Sequence, residues 1–159
     1  MTALLVIVIF VYTAYAAPIS IDPAGETILV ARSARFDVRV SIKTRQLEKK
    51  VKTLGDRGNE HEAFPYRNTV DRIDITVGDR QLIVPHSVFC DLRDLNRAEI
   101  RLGSKTAILV IDGGDASDAY WVKVEFDTTQ VRRRTLGSGL LAGKISQDTI
   151  YRVHILKDQ

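Results

Sequence analysis

The chain has only one cysteine, Cys90, in 159 residues, so no disulfide can form within it. That excludes the disulfide-stapled design of small eukaryotic secreted domains and leaves a lone thiol. Motifs with diagnostic spacing are missing too. The sequence has no Ser nucleophile elbow, phosphate-cradling glycine loop, zincin helix or dinucleotide fingerprint, which removes the enzyme classes that announce themselves by spacing. Paired carboxylates on separate strands leave no such signature, so an enzyme acting on an envelope polymer stays open as an alternative. Excess charge of one sign is also lacking. The 23 basic and 20 acidic residues give a net charge of +3, spread over both halves of the chain, and this balance points to no nucleic-acid partner.

The N-terminal run has no charged side chain. Thr2 to Pro18 carries none, Leu4 to Val11 is unbroken apolar sequence, and Ala14-Tyr15-Ala16 places small residues where a signal peptidase reads. The expectation is a signal peptide over 1–16, cleaved after Ala16. The alternatives are an uncleaved anchor in the inner membrane, just short of the span a bilayer needs, or a buried N-terminal strand. No basic residue precedes Arg32, so the usual positive n-region is reduced to the terminal amine. A leader together with one cysteine points to the bacterial periplasm or to secretion.

What remains, 17–159, suits a single β-rich domain able to bury about two thirds of its unfolded surface. Its strands are written in period-two alternation. Phe36, Val38, Val40 and Ile42 share one face of a strand, and a tight turn at Ser33-Ala34 sets Leu29 opposite Val38 and Ala31 opposite Phe36. A turn at Gly78-Asp79 sets Ile75 opposite Leu82 and Ile73 opposite Val84. Ile100 and Leu102 face inward, with Glu99 and Arg101 outward, on a short strand near an edge. Thr106 to Ile111, apolar on both faces, reads as a central covered strand. Tyr120 to Phe126 returns through Thr128-Thr129 along Val131 to Leu136, with Phe126 facing Val131 and Glu125 facing Arg132. Tyr151, Val153 and Ile155 form one face of a last strand. Ser87 caps a short helix to about Leu95, with Val88, Leu92 and Leu95 on one side. The fold class is therefore mainly β with a minor α component: seven or eight strands in an antiparallel meander, forming a sandwich or a partly open barrel, and one or two short helices. Between Lys43 and Asn68 lies a basic segment, either a short charged helix around Leu47, Val51 and Leu54 or a flexible connection, followed by a loop.

Candidate chemistry is sparse. His86 and Cys90, four apart at the start of the expected helix, are a candidate thiol–imidazole pair with a reactive Cys90; the bland reading is a packed thiol. Asp112, Asp115, Ser117 and Asp118 make an oxygen-rich turn, which hairpin geometry explains without calcium. Glu60-His61-Glu62 lacks the companions that zinc requires, and His154 reads as surface. No metal or cofactor is assigned. Trp121, on the nominally polar face beside Lys123, is either a binding platform or part of a second buried layer with Ile108 and Val110. In Arg132-Arg133-Arg134, alternation sends Arg132 and Arg134 to one face and Arg133 to the other. Trp121, Asp115, Asp118, Arg132 and Arg134 are thus the binding candidates.

The function expected is that of an exported, non-enzymatic binding protein of the bacterial envelope, with a protein or an anionic envelope component as partner. A narrower version is an inhibitor or immunity-type protein that inserts a loop, Gly113 to Ala119 or Gly55 to Asn68, into a hydrolase cleft. The mature chain is expected to have no membrane span, and the sequence leaves its oligomeric state open.

Overall fold

A computed structural model describes residues 17–47, 68–141 and 143–152. The leader, most of the basic segment, Glu60-His61-Glu62 and His154 lie outside the described residues. The chain is mainly β, with no helix of seven or more residues among those described. Its strands are β1 (Ile19–Ser20), β2 (Glu26–Arg32), β3 (Asp37–Gln46), β4 (Asn68–Val77), β5 (Arg80–Gln81), β6 (Leu95–Leu102), β7 (Ala107–Gly113), β8 (Tyr120–Phe126), β9 (Val131–Ser138) and β10 (Ile145–Ile150). They form two antiparallel sheets of a β-sandwich, ordered β1-β6-β7-β8-β9-β10 and β2-β3-β4-β5. Each sheet is largely a meander: β2–β3, β4–β5 and the successive strands from β6 to β10 are joined by connections too short for a crossover, while β3 and β4 pair antiparallel across residues 47–67. The chain lays down β1, builds the smaller sheet, and returns to place β6 beside its start.

Period two fills the core. Val38, Val40 and Ile42 from β3, Ile73 and Ile75 from β4, Leu109 and Ile111 from β7, and Val122, Val124 and Phe126 from β8 all lie in one cluster between the sheets. Burying each such side chain contributes about 1.5–3 kcal/mol. The Gly78 hairpin is as expected: Gly78 takes φ +58°, and Leu82 N–H bonds Ile75 C=O at 2.8 Å. The sequence places the strand after this turn as far as Val84, but β5 ends at Gln81.

Other expectations need correction. The β2–β3 hairpin pairs Ala31 with Val38 and Leu29 with Val40, a shift of two from the tight-turn register. The reason is a four-residue connection, in which Ser33 Oγ accepts the N–H of Phe36 at 3.1 Å and of Arg35 at 3.3 Å. An even shift keeps every side chain on its face. β3 continues to Gln46, so Lys43–Gln46 of the basic segment is strand.

The Ser87–Leu95 helix does not form. One 3₁₀ turn, His86–Val88, starts after Pro85 with no side-chain cap. The chain is then drawn toward β4, where Thr69 bridges Arg93 and Leu92 C=O accepts Val70 N–H at 3.4 Å. Val88, Leu92 and Leu95 are nevertheless buried. A second 3₁₀ turn, Ala116–Asp118, joins β7 to β8. A strand over Ile145–Ile150, β10, stands where none was expected, and of the strand expected around Tyr151, Val153 and Ile155 only Tyr151 is among the described residues.

Three irregularities mark the larger sheet, at Leu95/Arg97, Glu125/Phe126 and Ile145/Gln147. Each inserts a residue and rotates the following side chains. The middle one decides the arginine triplet, because Phe126 still pairs with Val131 but Glu125 now pairs with Arg133 rather than Arg132. Arg134 is thereby turned onto the core side opposite Val124, at 1% exposure.

Candidate functional site

The antiparallel register places Arg97, Glu99 and Arg101 of β6 beside Asp112, Val110 and Ile108 of β7 on the outer face of the six-stranded sheet. β1 ends alongside, and Pro18 closes that side of a surface cleft of about 260 Å³ lined by these β6 residues, Ala98, Val110 and Asp112. Arg97 Nε donates to Asp112 Oδ2 at 2.7 Å, and Arg101 is ion-paired with Glu99. The hydrogen bond and the charge of Asp112 raise the Arg97 guanidinium above its ordinary range. Glu99, expected outward, is on the outer face but only 5% exposed. Its arginine partner compensates the burial of its charge.

Across the same face, Trp121 stands opposite Gly137 of β9. A Cβ at Gly137 would fall 2.2 Å from Trp121 Cζ2, so the indole occupies the space the glycine leaves. Lys123 Nζ lies 4.9 Å from the ring centroid, a cation–π contact. Trp121 is half-buried, with Gly137 beside its ring and Lys123 over it. Val110 is buried and Ile108 half-buried on this face, within the central strand β7. Farther along, Arg133 holds Asp148 through two bonds of 2.7 and 2.6 Å, and that guanidinium keeps the Asp148 carboxyl below the usual range. Arg–carboxylate pairs thus flank an apolar strip. Arg97 and Arg101 remain 62% and 42% exposed at the side chain, so both guanidiniums reach solvent.

Family models, curated proteins and solved structures were compared with the chain, and none matches it.

The remaining candidates scatter. Asp115 is exposed and Asp118 half-buried in the β7–β8 connection. That loop is pinned by Asn96 Nδ2 donating to Gly114 C=O at 2.6 Å and by Asp118 N–H bonding Asp115 C=O at 2.8 Å. Asp112, the fourth oxygen-bearing residue of the turn, is committed to Arg97. Among the described residues no three His, Cys, Asp or Glu side chains group to hold a metal. His86 is exposed and packs edge-on to Phe89, with centroids 5.2 Å apart. Its link to Cys90 is through the backbone, Cys90 N–H to His86 C=O at 3.0 Å. A three-residue 3₁₀ turn stands where the helix was expected, so the half-buried Cys90 does not sit at a helix N-terminus.

The three arginines meet three fates. Arg132 is exposed and ion-paired with Asp127, and Arg133 holds Asp148 on the outer face. Arg134 is fully enclosed. Its guanidinium donates to Val88 C=O at 3.0 Å, Gln147 Oε1 at 2.6 Å and both oxygens of Asp91 at 2.7 and 2.8 Å. It therefore ties the 3₁₀ turn to the last two strands and lies out of a ligand's reach. Burial pushes the Asp127 carboxyl up, but hydrogen bonds from the Thr129 hydroxyl and N–H, Arg132 and the Gln130 N–H outweigh it and hold the group at about 2.

The sequence reading missed the Arg97–Glu99–Arg101 row. A signal for its register was present: Leu95 and Ala98, both apolar, join the core at an odd spacing, and two inward-facing residues so spaced require a bulge between them.

Proposed function

We propose that the protein is an exported, non-enzymatic binding protein of the bacterial envelope, which recognises a protein or an anionic envelope component on the outer face of its six-stranded sheet. One observation carries the choice of face: the cleft beside Pro18 joins an apolar floor at Val110 to two partly exposed guanidiniums, Arg97 and Arg101, each fixed by a carboxylate. Oriented charges of this kind select a partner, and they need no reorganisation when it arrives. Export is supported by the uncharged N-terminal run and the Ala14-Tyr15-Ala16 site. β1 pairs through Ile19 and Ser20, so cleavage after Ala16 leaves that pairing intact. No helix among the described residues is long and apolar enough to cross a membrane.

A second reading, an inhibitor that presents the Gly113–Ala119 loop, draws on the hydrogen bonds that hold that loop and on Ala116 at φ +40°. A loop already fixed loses little entropy on binding.

Intact mass together with cell fractionation tests the export half. The expected product is a periplasmic chain beginning at Ala17. A full-length cytoplasmic chain would contradict export and remove the envelope partners from consideration.

A further inference from the structure

Two sheets have four edges, and this protein treats one of them differently. β1 and β5 are two residues long, and Pro18 immediately precedes β1. β2 is half-buried or buried over six of its seven residues, and its Arg32 is bonded across to Asp37 of β3. Such short or covered edges are how sheets avoid pairing with other chains. β10 has neither protection. It is six residues long, exposed at all but Thr149, and no described strand pairs with its outer side. It also contains no lysine or proline.

We propose that β10 pairs antiparallel with β10 of a second copy of this chain, about a two-fold axis normal to the sheet, joining the two six-stranded sheets edge to edge. Tyr151 N–H bonds Arg132 C=O at 2.9 Å, so by alternation the N–H and C=O of Asp148 and Ile150 face away from β9. An axis normal to the sheet keeps each face on its own side, so only residues of like face can be opposed. Centring the axis on Asp148 opposes Asp148 with its own copy in a hydrogen-bonded pair. Ile150 then meets the Ile145–Ser146 bulge of the other chain.

Two observations fit this register. The bulge between Ile145 and Gln147 returns Ile145 to the outer face, where Ile145 pairs with Gly137 and Ile150 with Arg133. These isoleucines, 53% and 65% exposed, therefore cover one another twice across the axis. Charge is also accommodated, because each Asp148 carboxylate is already held by two bonds from Arg133, giving the row Arg133–Asp148–Asp148–Arg133. Opposed carboxylates without such partners would repel.

Sedimentation velocity of the purified protein over a concentration series tests the pairing. The expected result is a dimer that becomes fully monomeric in Ile150→Lys, while the melting temperature of the monomer stays unchanged. The register is read by Asp148→Cys in a Cys90→Ser background, which should form an intermolecular disulfide under mild oxidation, because hydrogen-bonded cross-strand Cα atoms lie within disulfide range. Ser87→Cys in the same background should not. A wild-type monomer at every concentration, or a dimer that survives Ile150→Lys, would overturn the proposal. A dimer that Asp148→Cys fails to cross-link would overturn the register.

Discussion

The four-stranded and six-stranded sheets of this protein obey the same alternation but use it differently. The smaller sheet has one register irregularity, between Lys43 and Thr44. Its outer charges form exposed cross-strand or same-strand pairs such as Arg32–Asp37 and Arg72–Asp74. The larger sheet has three irregularities, a fully buried Arg134, a buried Glu99, an indole set on a glycine and an exposed apolar edge. Bulges re-aim side chains. Where they accumulate, charge is carried to places that simple alternation would never put it. The proposed recognition surface lies on this same sheet, with Glu99 and Arg101 outward where alternation sends them.

The contrast can be broken most strongly at Arg134. Asp91→Ala leaves a buried guanidinium without its carboxylate and should destabilise the fold by about 3–5 kcal/mol. Arg72→Ala on the smaller sheet serves as the control for an exposed pair. Chemical denaturation of the two variants should place them at opposite ends of the scale, and similar values would mean that Arg134 is not held as described.

Gly137→Ala is expected next. The added Cβ would meet the Trp121 ring at 2.2 Å and Lys144 C=O at 2.7 Å, so a loss of about 2–3 kcal/mol is expected. Gly78→Ala meets no atom within 4 Å, and only its φ of +58° resists the substitution, which should cost about 1 kcal/mol. Thermal melts of the two variants compare a steric penalty with a conformational one.

Asp127→Ala should cost about 2 kcal/mol at neutral pH, because the carboxyl is held at about 2 against an ordinary value near 4. A depressed carboxyl contributes fully above its unfolded value, and that contribution is lost as pH falls through the folded one. The gap between variant and wild type should therefore close between about pH 4 and pH 2. A gap independent of pH would assign the loss to packing instead. At the small end, Arg72→Ala should change stability by less than about 0.5 kcal/mol and lose even that in high salt.

Much of the fold was legible in the sequence. Phe126 opposite Val131, Ile75 beside Leu82 and the central position of Thr106 to Ile111 all follow from alternation and turn residues. The Ser33 hairpin slipped by two because a serine-bonded turn took Arg35 and Phe36 into the connection. The fate of Arg134 was hidden by the inserted residue at Arg132, although Val131 and Leu136, both buried, are five apart. Two inward residues at an odd spacing require a bulge somewhere between them. The cleft was hidden because it depends on strands distant in sequence, β1 beside β6, and on a second bulge near Asn96. The turn at His86 misled in the opposite direction. Val88, Leu92 and Leu95 fit a helical stripe, yet their burial comes from a connector pulled toward Thr69.

Trp121 is the only tryptophan in the chain and sits on the proposed surface, which makes its emission the most direct reporter. The decisive measurement is a fluorescence titration of the purified protein with three probes in turn: phosphatidylglycerol vesicles, solubilised peptidoglycan fragments and the soluble proteins of a periplasmic extract. The account predicts a saturable change with one of the three, abolished by the pair Arg97→Glu and Arg101→Glu. Emission unmoved by all three, or a change that survives the double substitution, would contradict the assignment of the outer face as the binding surface.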